Sequence, residues 1–227
     1  SEERDWISIP QVCPICGQNV EIVTSETGIE NVVCVNPNCE GKLINRLDHF
    51  CGKKGLDIKA ILLTHGHFDH IYGAADFAKT YNVPIYMDPK ETYSFEHTNP
   101  YVCGCYGLQL PELPESFTPI KDGDIIEVGS LRLEVLQTPG HSVGGVCYLE
   151  RNENILFSGD TLFAGAIGRT DHPGGDYDVM MKSIWEKIMC LDGDIQVFPG
   201  HGPATDIAKE RMTNPFLLPF NEPYEEE

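Results

Sequence analysis

The sequence predicts a mixed α/β fold, in which strands alternate with helices, preceded by a smaller segment rich in cysteine. The chain has 227 residues, and 41% of them are hydrophobic, which is enough for a sizeable core. Apolar runs of strand length alternate with runs of helical periodicity from residue 56 onwards. A chain of this length fits one medium-sized domain with a small appendage. We therefore divide it into residues 1–55 and residues 56–227.

The first segment contains five of the nine cysteines in short pieces of sequence. The stretches VEIV and NVVCV predict two short strands joined by the polar stretch TSETGIE. Residues 42–54 predict a helix, because Leu43, Leu47 and Phe50 recur at helical spacing and Gly55 can end it.

The second segment predicts strands and helices joined by loops rich in glycine and histidine. In chain order, the predicted elements are strand DIKAILLT, helix GAADFAKTYN, strand PIYMD, hairpin GDIIEVGSLRLEVLQT, strands GGVCYLE and NILFSG, helix DYDVMMKSIWEKIMCL, strand DIQVFPG and helix ATDIAKERMT. Leu131, Leu133 and Val135 alternate on one face of the hairpin. One side of the DYDVMMKSIWEKIMCL helix is predicted to be apolar through Val179, Met180, Ile184 and Ile188.

Charge and cysteine usage exclude several classes of function. The net charge of −19 disfavours nucleic acid as the main partner, since binding to phosphates needs clustered Lys and Arg. No apolar run approaches the roughly 18 residues of a membrane span, and no secretory signal is evident. An odd number of cysteines with two close pairs indicates reduced thiols and metal ligands. We therefore expect a cytoplasmic protein without a membrane partner.

Histidines and aspartates cluster in loops that follow strand-like runs. The motif THGHFDH comes directly after a buried strand, and the motifs TPGHS, SGDTLF and PGHGP follow later in the chain. Together they supply seven side chains that can bind a metal: His65, His67, Asp69, His70, His141, Asp160 and His201. Imidazole and carboxylate suit Zn, Fe and Mn. Seven ligands exceed the needs of one tetrahedral ion, so two adjacent ions that share one carboxylate are predicted.

The other histidines have a simpler interpretation. A single loop histidine is usually solvated or hydrogen-bonded, and we assign that role to His49, His97 and His172. The other five histidines, His65, His67, His70, His141 and His201, each lie beside a Gly, Asp or Pro at the end of a predicted strand. Five such placements by coincidence are hard to accept, so we do not treat these histidines as solvated loop residues.

These motifs resemble those of the metallo-β-lactamase-fold hydrolases. Two longer stretches of sequence, FAGAIGRTDHPGGD and PGHGPATDIAKERMTNPFL, are similar to the short glyoxalase II-like (hydroxyacylglutathione hydrolase-like) branch of this family. The resemblance covers about residues 56–220. It implies an αββα sandwich. It also implies that His65, His67 and His141 bind one ion, that Asp69, His70 and His201 bind the other, and that Asp160 bridges them.

The resemblance also implies a reaction. A hydroxide held between two divalent ions, zinc with iron or manganese as options, would attack the carbonyl of a small-molecule thioester such as an S-acyl-glutathione. Asp69 and Asp160 would then be the catalytic carboxylates. A thiolate with a pKa of about 8.5 needs little help to leave, so no separate general acid is required. Arg169, just after the bridging carboxylate, is a candidate to orient an anionic substrate or to brace its loop.

A second enzymatic interpretation stays open. The persulfide dioxygenase branch of the same fold also carries GRTD after the aspartate. There, His65, His141 and Asp160 would hold a single Fe(II) with open coordination positions.

The remaining cysteines are assigned by their surroundings. Cys147 lies in a strand pattern and is predicted to be in the core. Cys103 and Cys105 are predicted to be free loop thiols, with a local metal or redox pair as the alternative.

Four cysteines of the first segment predict a structural zinc site. Cys13 and Cys16 are separated by two residues, Cys34 and Cys39 by four, and 17 residues lie between the pairs. Four thiolates on two turns form a closed tetrahedral site. Residues 5–59 resemble the four-cysteine zinc finger of bacterial NAD-dependent DNA ligases and the helix after it.

This finger stands where the hydrolase family normally has its N-terminal strands, so the sandwich is predicted to lack them. A DNA-binding zinc module attached to an inert hydrolase domain is the non-enzymatic alternative. Residues 1–55 contain eight acidic and five basic side chains, which argues for weak DNA contact at most.

Overall fold

The computed structural model describes residues 18–24, 30–35 and 57–218. The chain divides into two compact units, residues 1–58 and residues 59–227. In the first unit, strand β1 (Val20–Thr24) pairs antiparallel with β2 (Glu30–Cys34), which confirms the two strands predicted there. Cys13, Cys16, Cys39, His49 and the predicted helix over 42–54 lie outside the described residues, so the zinc finger and the loss of the N-terminal strands stay predictions.

The second unit contains two main sheets. The smaller has three parallel strands in the order β3 (Ile61–Leu62), β4 (Ile85–Met87) and β5 (Thr118–Pro119). The larger begins with four antiparallel strands, β6 (Ile125–Val128), β7 (Leu131–Gln137), β8 (Val146–Glu150) and β9 (Ile155–Gly159). A separate hairpin, β10 (Leu162–Phe163) with β11 (Ala166–Ile167), follows. Strand β12 (Gln196–Pro199) joins β9 in parallel, and β13 (Thr205–Asp206) completes the sheet.

Five helices flank these sheets in the described part of the second unit. They are α1 (Phe68–Ile71), α2 (Ala74–Tyr81), α3 (Asn99–Tyr106), α4 (Tyr177–Ser183) and α5 (Ile207–Thr213). A 3₁₀ turn at Pro89–Glu91 and a π-helical stretch at Ser94–Thr98 precede α3, and a π-helical stretch at Ile184–Ile188 extends α4. None of the described helices is long and apolar enough to cross a membrane.

Three apolar clusters show that the layers are stacked as helix, sheet, sheet and helix. One cluster, with Ile71, Ala74 and Met87, packs the first helices on the smaller sheet. A second, with Val135 and Tyr148, lies between the sheets and includes Tyr86 of the smaller one. The third packs α4 and α5 on the outer face of the larger sheet, through Cys147, Leu149, Met180, Ile184, Ile188, Val197 and Ile207. The predicted αββα order is therefore observed.

Strand β8 shows why the stack is stable. Its five residues are all buried, because alternate side chains face opposite layers. Val146 and Tyr148 face the smaller sheet, whereas Cys147 and Leu149 face the helices. The Tyr148 hydroxyl also donates a hydrogen bond of 2.7 Å to the carbonyl of Leu63, just after β3. That bond joins the sheets close to the THGHFDH loop.

Two local predictions were wrong. Val179 is 38% exposed, because the buried stripe of α4 runs through Met180, Met181 and Ile184 and leaves the preceding residue at its edge. Leu131, Leu133 and Val135 occupy alternate positions of β7, as predicted, although Leu131 at the start of the strand is 42% exposed. Cys103 and Cys105 are free thiols, as predicted, but they lie on helix α3 and not in a loop.

Candidate metal centre

The site is assembled at one end of the sheets, from loops that follow strands of both. His65 and His67 follow β3, and His67 is the residue immediately before helix α1. Helix α1 is only four residues long and carries both Asp69 and His70. His141 lies in the connection between β7 and β8. Asp160 comes directly after β9, and His201 follows β12. The structure thus brings all seven predicted ligands to one region.

The first ligand group consists of three buried histidines. One ring nitrogen from each of His65, His67 and His141 lies within 4.8 Å of the other two. His67 Nδ1 faces His141 Nε2 at 2.9 Å. His141 Nδ1 lies 2.7 Å from the carbonyl oxygen of Arg169, and because a carbonyl only accepts, Nδ1 carries the proton. The Nε2 lone pair of His141 therefore points towards its two partners, as in histidines that bind metals.

The second ligand group is more open to solvent. It joins Asp69, His70 and His201, whose ligand atoms also lie within 4.8 Å of one another. His201 Nε2 is 3.2 Å from Asp69 Oδ2 and 3.2 Å from His70 Nε2. The side chain of His201 is 55% exposed, so this group faces the pocket mouth. The two groups have the same membership as the two predicted ligand sets.

Asp160 lies between the two groups. Its Oδ1 is 3.4 Å from His70 Nε2, whereas its Oδ2 is 3.6 Å from His141 Nε2 and 3.5 Å from His201 Nε2. A third possible ligand set, formed by His65, His70 and Asp160, overlaps both groups. The carboxylate therefore lies near histidines of both groups: Oδ1 faces the second group, and Oδ2 lies between the two.

Burial sets the protonation of the first group. It lowers the pKa of His67 to about 2, and the neighbouring imidazole of His141 adds to the shift. It also lowers the pKa of His65 well below its usual range and, less strongly, that of His141. These imidazoles are neutral at physiological pH and offer lone pairs.

The carboxylate of Asp160 raises the pKa of His70, in contrast to the lowered pKa values of the first group. Burial lowers the pKa of His70, but the nearby carboxylate of Asp160 outweighs burial, so the net shift is upwards. The pKa of Asp160 is lowered, because the proximity of His70 outweighs the effect of burial.

Two further observations fit a divalent cation at the site. Among the described residues, His65 Nε2, His67 Nε2 and Asp160 Oδ1 are buried without a hydrogen-bond partner, and such atoms need a ligand of some kind. Gly200 leaves room for the group: a Cβ there would lie 2.3 Å from Asp160 Oδ1 and 2.7 Å from His70 Cε1. The residues present therefore fit a metal centre with imidazole and carboxylate ligands.

A pocket of about 460 Å³ opens onto both groups. Its apolar wall is formed by Phe68, Val102, Tyr106, Phe163 and Ile167. Arg169 also lines it, and its guanidinium makes hydrogen bonds of 2.8 and 3.1 Å to the two carboxylate oxygens of Asp171. Both side chains of this pair are exposed, so the guanidinium is near the place where a substrate would enter.

His172 is a site residue that the sequence interpretation missed. It lines the pocket, and its ring centroid lies 4.9 Å from that of His67 and 5.0 Å from that of His141. Its Nε2 is buried without a hydrogen-bond partner among the described residues. The available signal was its position in the GRTDHPGGD loop, next to Arg169. His97, by contrast, is an exposed side chain beside Glu96 and Tyr93, as expected for a solvated histidine.

Comparison with known proteins agrees with this geometry. The sequence model of the metallo-beta-lactamase superfamily matches residues 49–201. The chain is 37% identical over 187 residues to the "probable metallo-hydrolase YqgX" of Bacillus subtilis, covering 82% of this chain and 87% of that protein. It is 34% identical over 206 residues to "hydroxyacylglutathione hydrolase GloC" of Haemophilus influenzae, covering 88% and 92%.

Solved structures with the same fold include two at more than 30% identity. The B3 metallo-beta-lactamase BLEG-1 superposes with a TM-score of 0.71 at 32% identity, covering 91% of this chain and 97% of that one. The protein TTHA1623, in a di-iron-bound form, superposes with a TM-score of 0.69 at 31% identity, covering 92% and 98%. The chain belongs to the metallo-beta-lactamase superfamily. Within this metallo-hydrolase superfamily, the His and Asp groups described above are the candidate metal ligands of the chain.

Proposed function

We propose that this protein hydrolyses thioesters of the S-acyl-glutathione type with the help of two divalent metal ions. One observation carries the proposal: two separate groups of ligand atoms lie side by side, with the buried carboxylate of Asp160 between them. A single ion would leave one of these groups unused. When bound, two ions would polarise the substrate carbonyl and provide a water acidified to near-neutral pKa.

The side chains divide the remaining work. His65, His67 and His141 are buried and neutral, so each ring keeps an unprotonated nitrogen that can bind a metal ion. Asp69 and His201 are exposed, which leaves the second group accessible from the pocket. The apolar wall of the pocket would shield the acyl group of a bound substrate from water. A thiolate leaving group needs little protonation near neutral pH, which supports a thioester over an amide.

The identity of the metal and the substrate are proposals too. Imidazole and carboxylate donors favour zinc, with iron or manganese as alternatives. A relative at 31% identity is described in a di-iron form, which supports iron as an option. The resemblance to a hydroxyacylglutathione hydrolase at 34% identity supports an S-acyl-glutathione substrate.

A substrate panel tests the proposal. Protein loaded with Zn, Fe or Mn is assayed against S-lactoyl-glutathione, a β-lactam, a lactone and a phosphoester, with the metal-free protein as the control. We expect turnover of the thioester to exceed that of the other substrates in at least one metal form. Faster cleavage of another substrate class in every form would overturn the thioester assignment while leaving metal-dependent hydrolysis intact.

A metal count separates the two enzymatic interpretations. Seven His and Asp ligands predict two ions in the hydrolase site. A single iron together with oxygen consumption would instead favour a persulfide dioxygenase that uses His65, His141 and Asp160.

We further propose that Cys13, Cys16, Cys34 and Cys39 hold one structural zinc ion. The spacing of the four cysteines supports it. Cys39→Ser should release one ion from the loaded protein, and His201→Ala should release a different one, as measured by plasma mass spectrometry. Mercurials should remove only the thiolate-bound ion. Unchanged metal content in Cys39→Ser would contradict the structural zinc.

Salt-dependent binding of DNA by the loaded protein, without hydrolysis, would favour the DNA-binding alternative.

A further inference from the structure

A buried carboxylate lies behind the first ligand group. Glu91 ends the 3₁₀ turn Pro89–Glu91, and its side chain is fully buried. Glutamate is rarely fully buried unless its oxygens have partners. Here three donors satisfy them: the Gly66 amide at 2.6 Å and the Ser94 hydroxyl at 2.8 Å donate to Oε2, and the Gly144 amide at 2.7 Å donates to Oε1.

The two amides belong to the loops that present the three histidines. Gly66 lies between His65 and His67, and Gly144 lies three residues after His141. One carboxylate thus joins two segments whose contact residues are 25 and 53 positions away from it in sequence. Asn99 fixes the same loop from the other side of the peptide, because its Nδ2 donates to the Gly66 carbonyl at 2.9 Å.

Close packing leaves these loops little freedom. A Cβ at Gly66 would lie 2.9 Å from Phe95 Cε1 and 3.0 Å from the Glu91 carbonyl oxygen. A Cβ at Gly144 would lie 2.9 Å from Lys90 Cβ and 3.1 Å from the Glu91 amide nitrogen. Both loops therefore touch the turn that carries Glu91, and their spacing depends on its geometry.

We propose that Glu91 is a positioning residue, which fixes the separation of the two histidine loops and thereby sets the metal affinity of the His65, His67 and His141 group. It does not itself bind the ion, because the same two oxygens are engaged by three donors. This inference rests on the proposed function only in assuming that the three histidines hold an ion. Groups that orient metal ligands in this way typically change metal affinity 10- to 100-fold when they are removed.

Glu91→Gln is the direct test. The amide side chain keeps the size but presents an NH₂ group to one of the two amide donors, so one loop must move or lose its partner. Glu210→Gln is the matched control. Glu210 is also fully buried and accepts bonds from three donors, the Gly165 amide and the side chains of Thr205 and Asn214, and none of these donors lies in the histidine loops.

The variants are compared in a His201→Ala background, which removes a ligand from the second group. Metal-free protein is titrated with Co²⁺, and thiolate charge-transfer absorption reports any ion bound at cysteines separately. We expect Glu91→Gln to weaken binding at the three histidines by about 10- to 100-fold, and Glu210→Gln to leave it within about twofold. Ser94→Ala, which removes one donor without touching either loop, should give a smaller loss and serves if Glu91→Gln does not fold.

A second readout needs no metal. Hydrogen exchange of the Gly66 and Gly144 amides should accelerate in metal-free Glu91→Gln and stay unchanged in Glu210→Gln. Equal metal affinities in Glu91→Gln and the parent, or equal losses in both glutamine variants, would overturn the positioning role. A parent that binds both ions yet hydrolyses no thioester would contradict the proposed function alone. A parent in which Co²⁺ binds only thiolates would overturn both.

Discussion

Asp160 is the residue on which the two ligand groups depend together. Asp160→Asn keeps the shape of the side chain but removes the charge that faces His70 on one side and His141 on the other. We expect thioester hydrolysis to fall by at least about 100-fold, as for the loss of a principal electrostatic element. Turnover and metal content are measured together, with the exposed Asp194→Asn as the control. Near-normal turnover at full metal content would remove Asp160 from the bridging role.

The backbone carbonyl and the guanidinium of Arg169 make different contacts, so their roles can be tested separately. Its carbonyl accepts the hydrogen bond from His141, whereas its guanidinium pairs with the exposed Asp171 at the pocket. Alanine keeps the carbonyl, so Arg169→Ala should leave the melting temperature nearly unchanged and raise the Michaelis constant for an anionic thioester.

Asp171→Asn should have the opposite effect on the Michaelis constant, because it frees the guanidinium for substrate. A neutral thioester should respond to neither change. If Arg169→Ala lowers the melting temperature and leaves the Michaelis constant alone, the residue is a brace for its loop.

At the scale of elements, the turn after β12 determines how close the two groups come. Gly200→Ala would place a methyl group against both Asp160 and His70, and neither can retreat without leaving its partners. We expect metal affinity at the second group to fall by about tenfold or more, by analogy with displaced ligand supports.

Chelator competition with Zn²⁺ measures this affinity. Gly104→Ala is the matched control, since a Cβ on that residue of α3 meets nothing within 4 Å and alanine favours a helix. Equal affinities in the two variants would mean that the turn has room to adjust.

Helix α3 shows how local signals can mislead. Its sequence, NPYVCGCY, has Pro and Gly in a short polar context, which is typical of a loop. Proline in the first turn and Gly107 at the C-cap, with φ of 65°, are nevertheless normal helix ends. The helix also places Val102 and Tyr106 in the pocket wall, a contact that the local sequence does not reveal.

At the scale of the molecule, the buried histidines make the metal-free protein sensitive to acid. The pKa values of His65, His67 and His141 are lower in the folded state than in the unfolded chain. Below the unfolded value of about 6.5, the unfolded chain therefore binds protons that the folded protein does not, and the free energy of unfolding falls as pH falls. His70 has a raised pKa, so its stabilising contribution is already complete below that pH and does not oppose the trend.

His67→Asn tests this prediction. His67 has the pKa lowered to about 2, so its contribution should persist through the whole range studied. Removing it should reduce the pH slope by about half of 1.4 kcal/mol per pH unit near pH 6.5 and by nearly all of it below about pH 5.5. Urea unfolding of the metal-free parent and variant measures both slopes. An unchanged slope would show that the ring becomes protonated in the folded protein.

The ligand types, their order and most of the strands and helices can be predicted from the amino-acid sequence. His65, His67, Asp69 and His70 lie within six residues, so local geometry is enough to place them together. The buried faces of β7 and α4 follow from alternation and from helical periodicity, apart from Leu131 and Val179 at their margins. Alternation and periodicity are properties of a few neighbouring residues, so they can be recognised without knowing the tertiary structure.

Contacts between groups that are distant in sequence could not be predicted, because they depend on how the sheets and helices pack. His67 and His141 are 74 residues apart, and the placement of Asp160 between the two groups depends on β9 lying beside β12 in the larger sheet. His172 lies in the pocket beside His67, and no local sequence pattern predicts that contact. The same holds for Glu91, which accepts hydrogen bonds from the two histidine loops. The physical reason is that periodicity specifies which face of an element is buried, whereas the packing of sheets and helices specifies what that face touches.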